Sequence, residues 1–170
     1  IRLGEFLDTA KHLDDRKRFI QPGVFQSIEE IQEKGLSIGA FLPEKVIDLK
    51  IKPYRKMRTP AQKIIASQKD LFSKPISPLL EKKYEFEYHF QCNDSRCIHV
   101  HKICMLDWET HESYRNFKKL YGDEETTLLK LKEMWLTKMH RNKKTYLIMG
   151  TDHRFGSPMI IGYFSIGLSD

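Results

Sequence analysis

Cys92, Cys97, His99, His101 and Cys104 put all three cysteines and two of the seven histidines of this chain within thirteen consecutive positions. Thiolate and imidazole suit a borderline-soft cation such as zinc, which takes four ligands in a tetrahedron, usually as two close pairs. The spacing is Cys92-x4-Cys97-x-His99-x-His101-x2-Cys104, which is not that of a standard finger or ribbon. Asn93-Asp94-Ser95-Arg96 between the first two cysteines is turn chemistry, and a turn there brings two sulfurs together. His99 and His101 lie two apart, so on a strand they share a face. The expected metal ligands are Cys92, Cys97, His99 and His101, with Cys104 and His153 in reserve, and Zn2+ is the expected cofactor. Two other readings stand beside it: a Cys92–Cys97 disulfide, or buried cysteines next to surface histidines.

Asp107-Trp108-Glu109 follows within a few residues. Carboxylates two apart at a strand end are one way that metal-dependent nucleases hold Mg2+ or Mn2+. Glu112 and Arg115 would then supply a general acid–base group and a phosphate clamp, making Asp107, Glu109, Glu112 and Arg115 the candidate catalytic set. The plainer reading makes Asp107 a helix N-cap, Glu109 and Glu112 early-helix acids, and Trp108 a core residue. The lysine expected between nuclease carboxylates is missing, since Lys102 lies upstream of Asp107.

A third group is basic. Lys50, Lys52, Arg55, Lys56 and Arg58 surround Tyr54, a mixture suited to a phosphate backbone with one stacked base, and equally to a solvated loop. The whole chain of 170 residues carries a net charge of +6 with a pI of about 9.1, which favours an anionic partner, DNA or RNA. A phosphate-binding glycine loop, a dinucleotide fingerprint and a Gly-x-Ser-x-Gly elbow are all absent, which argues against nucleotide hydrolysis, hydride transfer and serine hydrolysis.

The elements that must position these groups are legible from periodicity. Tyr84, Phe86, Tyr88, Phe90 and Cys92 alternate with Glu85, Glu87, His89 and Gln91, which predicts a strand with one buried and one wet face. Ile98–Leu106 returns as its hairpin partner. Asp107 opens a helix carrying Tyr114, Phe117 and Tyr121, which Gly122 ends. A second helix starts at Asp123-Glu124-Glu125, with Leu128, Leu131, Trp135 and Met139 as its apolar stripe. Lys138, Arg141, Lys143 and Lys144 load its C-terminal end. Thr145–Gly150 and Met159–Ile166 read as two final strands.

Upstream, Ile1–Phe6 reads as a short strand and Lys11–Arg18 as an exposed charged stretch. Ser27 with Glu30 forms a capping box for a short helix that stops at Gly35. Leu36–Ile51 reads as strand, turn, strand around Pro43-Glu44-Lys45. The Pro- and Lys-rich stretch 53–83 reads as a surface connection with one short helix near Ala61–Gln68. The resulting division is an N-terminal β/α segment over 1–52, the connection over 53–83, and a Cys/His-bearing unit over 84–170. The predicted class is α+β, with a mostly antiparallel sheet, a Cys/His-bearing hairpin and an antiparallel helix pair.

The chain begins at Ile1, and a portion N-terminal to it is expected. No run of about 18 apolar residues exists, and the clustered, odd-numbered cysteines suit a reducing compartment, so an intracellular, cytoplasmic setting without a membrane is expected. The block Cys92…Cys97…His99/His101…Asp107-Trp108-Glu109…Tyr114-Arg115-Asn116 resembles a group of uncharacterised archaeal and bacterial proteins. Gly150-Thr151, Met159-Ile160-Ile161-Gly162 and Leu36-Ser37-Ile38-Gly39…Pro43…Ile47-Asp48 extend the resemblance over about Leu36 to Phe164. It implies that the Cys-His and Asp-Trp-Glu motifs belong to one unit, and that members carry a further β-rich, OB-like N-terminal region. It implies no activity. The functional expectation is a nucleic-acid-associated binding module with structural zinc. The alternatives are a metal-dependent nuclease or phosphoesterase using Asp107 and Glu109, and a ligand-free protein-interaction subunit.

Overall fold

Four helices and seven strands are described in the computed structural model, which covers residues 13–55, 82–95, 97–152 and 156–167. The expected strand at Ile1–Phe6, the helix near Ala61–Gln68, and His153, Lys56 and Arg58 lie outside those residues. In chain order the elements are α1 (Leu13–Ile20), a 3-10 turn (Gln21–Gly23), β1 (Val24–Phe25), α2 (Ile28–Glu33), β2 (Ile38–Phe41), β3 (Lys45–Pro53) and β4 (Tyr84–Gln91). Then come β5 (His101–Met105), α3 (Trp108–Tyr121), α4 (Glu124–Glu133) running into a π-helical turn (Met134–Lys138), β6 (Lys143–Thr151) and β7 (Pro158–Gly167). The charged stretch read as merely exposed, Lys11–Arg18, thus includes most of a helix. Lys143 and Lys144 open β6 rather than closing a helix, because the π turn ends the helical run at Lys138.

All seven strands form one sheet in the order β1-β2-β6-β7-β5-β4-β3. The class is α+β, but the sheet is mixed rather than mostly antiparallel: β1–β2 and β5–β7 are parallel pairs. Their cause is the connections. β1 reaches β2 through α2, and β5 is separated from its neighbour β7 by α3, α4 and β6, and crossovers of this kind return a strand parallel. The expected final hairpin, β6 with β7, is antiparallel.

The strand–turn–strand over Leu36–Ile51 is present as β2 and β3, yet the two do not pair. Only Leu42, Pro43 and Glu44 join them, and four virtual bonds span at most about 14 Å. In a flat sheet the five steps from β2 to β3 would be roughly 24 Å. The sheet must therefore curl until its two ends approach each other. The contacts agree: the Phe41 ring of β2 lies 5.0 Å from the Phe90 ring of β4, and the Glu44 N–H donates to the Gln91 carbonyl at 3.0 Å.

The concave side of the curl is the core. Phe41, Leu49, Phe86, Tyr88, Phe90, Leu147 and Ile160 fill it from the strands, and Leu131 and Trp135 cap it from α4 and the π turn. The Tyr88 hydroxyl donates to the Trp135 carbonyl at 3.0 Å and meets His140 Nε2 at 2.7 Å. That bond takes up a carbonyl at the irregular turn, where the ordinary helical pattern fails. The pair α3–α4 is held to the start of β4 by Glu124, which accepts from Tyr84, Tyr114, Lys83 and Lys118. Burial alone would raise the Glu124 carboxyl, but these hydrogen bonds outweigh it and hold the group at about 2.

Candidate metal centre

Alternation along β4 decides where Cys92 points. Phe86, Tyr88 and Phe90 are buried in the concave core, and Cys92, next on the same face, is buried with them. In the β4–β5 register Phe90 sits opposite His101, and their rings stack at 5.4 Å. His101 therefore faces the same interior as Cys92. The residues between form a long connection in which the Cys97 N–H donates to the Asp94 carbonyl at 2.9 Å. That turn swings Cys97 back, so that its Sγ lies 2.9 Å from His101 Nε2.

The fourth group comes from the other end of the sheet. Ser27 caps α2, accepting the Glu30 N–H at 3.2 Å, while Glu30 accepts the Gln26 N–H at 2.8 Å. This is the expected box, with Gln26 rather than Ser27 as the returned donor. Ile28 and Ile31 anchor the helix in the core. Gly39 lets it seat tightly on β2: a Cβ there would lie 2.8 Å from Ile31 Cδ1. So fixed, α2 directs Glu29 at the hairpin, with Oε1 3.8 Å from His101 Nε2. The ligand atoms of Glu29, Cys92, Cys97 and His101 all lie within 4.8 Å of one another.

The electrostatics suit a cation. Burial pushes the Cys92 thiol up to about 12, the Ile28 backbone N–H opposes that, and the nearby Cys97 and Glu29 add to the rise. A buried thiol beside a second thiol and a carboxylate resists ionising until a positive charge joins it, and a coordinated metal would supply that charge. The three cysteines are free thiols, not a disulfide.

Three of the four expected ligands, Cys92, Cys97 and His101, converge. His99 does not: it is exposed and lies before β5, which starts only at His101, so the two-residue strand period does not reach it. Cys104 is exposed on β5, opposite Glu87 on the outer face. Glu29 was missed because a glutamate in a first helical turn reads as a partner for the helix dipole, and nothing in the Cys/His spacing points to it.

The Asp-Trp-Glu motif takes the plainer form, apart from Trp108. Asp107 is buried, and its Oδ2 accepts from both the Thr110 N–H at 2.8 Å and the Thr110 hydroxyl at 2.9 Å. Burial raises its carboxyl and the Thr110 bonds pull against that rise. Glu109 accepts the Tyr163 hydroxyl at 2.6 Å, and Glu112 pairs with Arg115. Trp108 is 68% exposed and is not a core residue. In the basic run, Lys50 and Lys52 stand opposite Glu87 and Glu85 across β3–β4, and Lys52 bridges to Glu87 at 2.9 Å. Tyr54 is half-buried and Arg55 exposed. No described helix is long and apolar enough to cross a membrane.

No curated protein and no solved structure matches the chain. A family-level match does cover residues 22–166, from the turn before β1 to the last residues of β7. It thus takes in every element of the sheet and all four converging side chains, and the chain belongs to the family of domains of unknown function designated DUF8757.

Proposed function

We propose that this chain is a non-catalytic, nucleic-acid-associated binding module whose curled sheet is locked by one structural zinc held by Cys92, Cys97, His101 and Glu29. The observation that carries the metal half is the convergence of four ligand atoms from the two ends of the sheet inside 4.8 Å. Zinc–ligand bonds of about 2.0–2.3 Å imply tetrahedral edges of roughly 3.3–3.8 Å. The distances 2.9 Å and 3.8 Å from His101 Nε2 to Cys97 and Glu29 need only small adjustments to reach them. Two sulfurs favour zinc over magnesium or calcium, which prefer all-oxygen sites. Four protein ligands fill the tetrahedron, whereas a catalytic zinc keeps one position open. The metal would tie α2, beside the β1–β2 edge, to the β4–β5 hairpin, and so hold the curl closed.

The nucleic-acid half is supported by the +6 charge and by the exposed Arg141, Lys143 and Lys144, which have no carboxylate partner among the described residues. The phosphoesterase reading gains no support, because Asp107 and Glu109 are engaged by Thr110 and Tyr163. A protein-interaction role has one observation behind it, an apolar cleft of about 430 Å³ lined by Phe19, Ile38, Ala40 and Ile148 among others. If that cleft mediates self-association, Ile38→Glu should abolish it in sedimentation, and a monomer at every concentration would remove that form of the idea.

The test of the main reading has two parts. Protein purified without added metal should contain close to one zinc per chain and lose thermal stability on chelation. It should also bind an oligonucleotide at low salt. Metal-free protein with an unchanged melting temperature would overturn the first half, and absence of binding to any DNA or RNA would overturn the second.

A further inference from the structure

The two basic stretches of the chain differ in what surrounds them. Lys50 and Lys52 face glutamates across the β3–β4 ladder. At the turn from the π helix into β6, four cations occur in seven residues: Lys138, Arg141, Lys143 and Lys144. All four are exposed. Lys138 approaches Glu133 at 3.4 Å, while Arg141, Lys143 and Lys144 have no carboxylate partner among the described residues. Across the ladder, Lys143 and Lys144 stand opposite Gly167 and Ile166, which carry no charge. Asn142, at φ 54°, turns the backbone between Arg141 and Lys143, at the corner where these cations are gathered.

The strand period adds an aromatic. Lys144 and Tyr146 point to the same face of β6, opposite to the buried Thr145 and Leu147, and Tyr146 is partly exposed. Across the ladder Tyr146 pairs with Phe164, which with Ile148 and Phe19 lines the apolar cleft described above. Cations beside an aromatic on a strand fit a single-stranded nucleic acid, with phosphates on the cations and a base on the ring.

We propose that Arg141, Lys143, Lys144 and Tyr146 form the contact surface for single-stranded nucleic acid. This rests on the nucleic-acid reading above and relocates its site from Lys50–Arg58 to the β6 corner. The probe is fluorescent oligouridine or oligothymidine, followed by anisotropy over a salt series with metal-replete protein. Arg141→Gln/Lys143→Gln/Lys144→Gln, which keeps most of each aliphatic stem, should weaken binding about tenfold or more at low salt and reduce the salt slope by about 2–3. Tyr146→Leu should weaken it by about fivefold to a hundredfold with the slope unchanged. Lys52→Gln/Arg55→Gln should have little effect.

If the wild type binds and the β6-corner variants, with unchanged melting temperatures, bind equally well, the proposed surface is wrong while the nucleic-acid reading stands. If the wild type binds neither oligonucleotide, both fall. Binding to anionic phosphatidylserine vesicles but not to the oligonucleotides would likewise overturn the proposal. Should the triple variant unfold, Lys144→Gln alone is measured, and a salt slope equal to the wild type's would count against it.

Discussion

The Cys92–His101 connection and the Asp107–Glu109 turn stand at the two ends of one short strand, β5, and both carry residue types able to ligate a metal. In the first, the sulfurs and imidazole meet chiefly one another and Glu29 from the far edge of the sheet. In the second, the carboxylates already have donors, Thr110 for Asp107 and Tyr163 for Glu109. Metal-ligating residue types nominate a site. What decides between them is whether the fold leaves those atoms facing each other or gives each a protein partner.

That contrast can be broken most forcefully at the sulfurs. Cys97→Ser should abolish stoichiometric zinc and destabilise the fold by at least about 3 kcal/mol, a drop in melting temperature of roughly 6–12 °C. Calorimetry of the variant beside chelated wild type should give matching transitions. A variant that retains full zinc, or melts with the wild type, would place the metal elsewhere. A smaller effect separates Glu29 from His99. Glu29→Gln should weaken zinc by on the order of tenfold, since a neutral amide is a poorer ligand, whereas His99→Ala should leave affinity unchanged in a competition titration with a zinc indicator. The reverse ranking would restore the ligand set expected from spacing alone.

At the other end of β5 the expected effects are smaller. Asp107→Ala should cost about 1–2 kcal/mol through loss of the cap, with zinc content unaltered. Asp107→Asn keeps an acceptor for Thr110 and should be close to neutral at pH 7. The sign of its pH dependence follows from the raised carboxyl. A raised folded-state pKa penalises the charged folded form at higher pH, and that penalty is relieved as pH falls through the folded value. The stability of the wild type relative to Asp107→Asn should therefore improve on acidification through that window. Urea melts at several pH values would show it, and a relative loss on acidification would contradict the assignment. Glu109→Gln should change stability by no more than about 0.5 kcal/mol, and divalent-metal-dependent cleavage lost in either acidic variant would revive the phosphoesterase reading.

Much of the local structure was legible in the sequence. The alternation of β4, the Ser27 cap, the Asp107 cap and the Gly122 helix end each follow from a pattern shorter than a dozen residues, and each is present. What the sequence did not yield was long-range. Nothing near Leu42–Glu44 indicates that β2 and β3 part within the sheet, because that depends on β6, β7, β5 and β4 inserting between them. The same gap hid Glu29, whose role depends on the curl that brings α2 over the hairpin. His99 failed for a local reason, a connection longer than the turn chemistry implied.

The measurement that bears most directly on the account is zinc content per chain, by elemental analysis, in wild type, Cys97→Ser and Glu29→Gln, all purified without added metal. The wild type should hold close to one equivalent, Cys97→Ser none, and Glu29→Gln a reduced, easily stripped fraction. A wild type without zinc, or one whose zinc survives Cys97→Ser intact, would contradict the account.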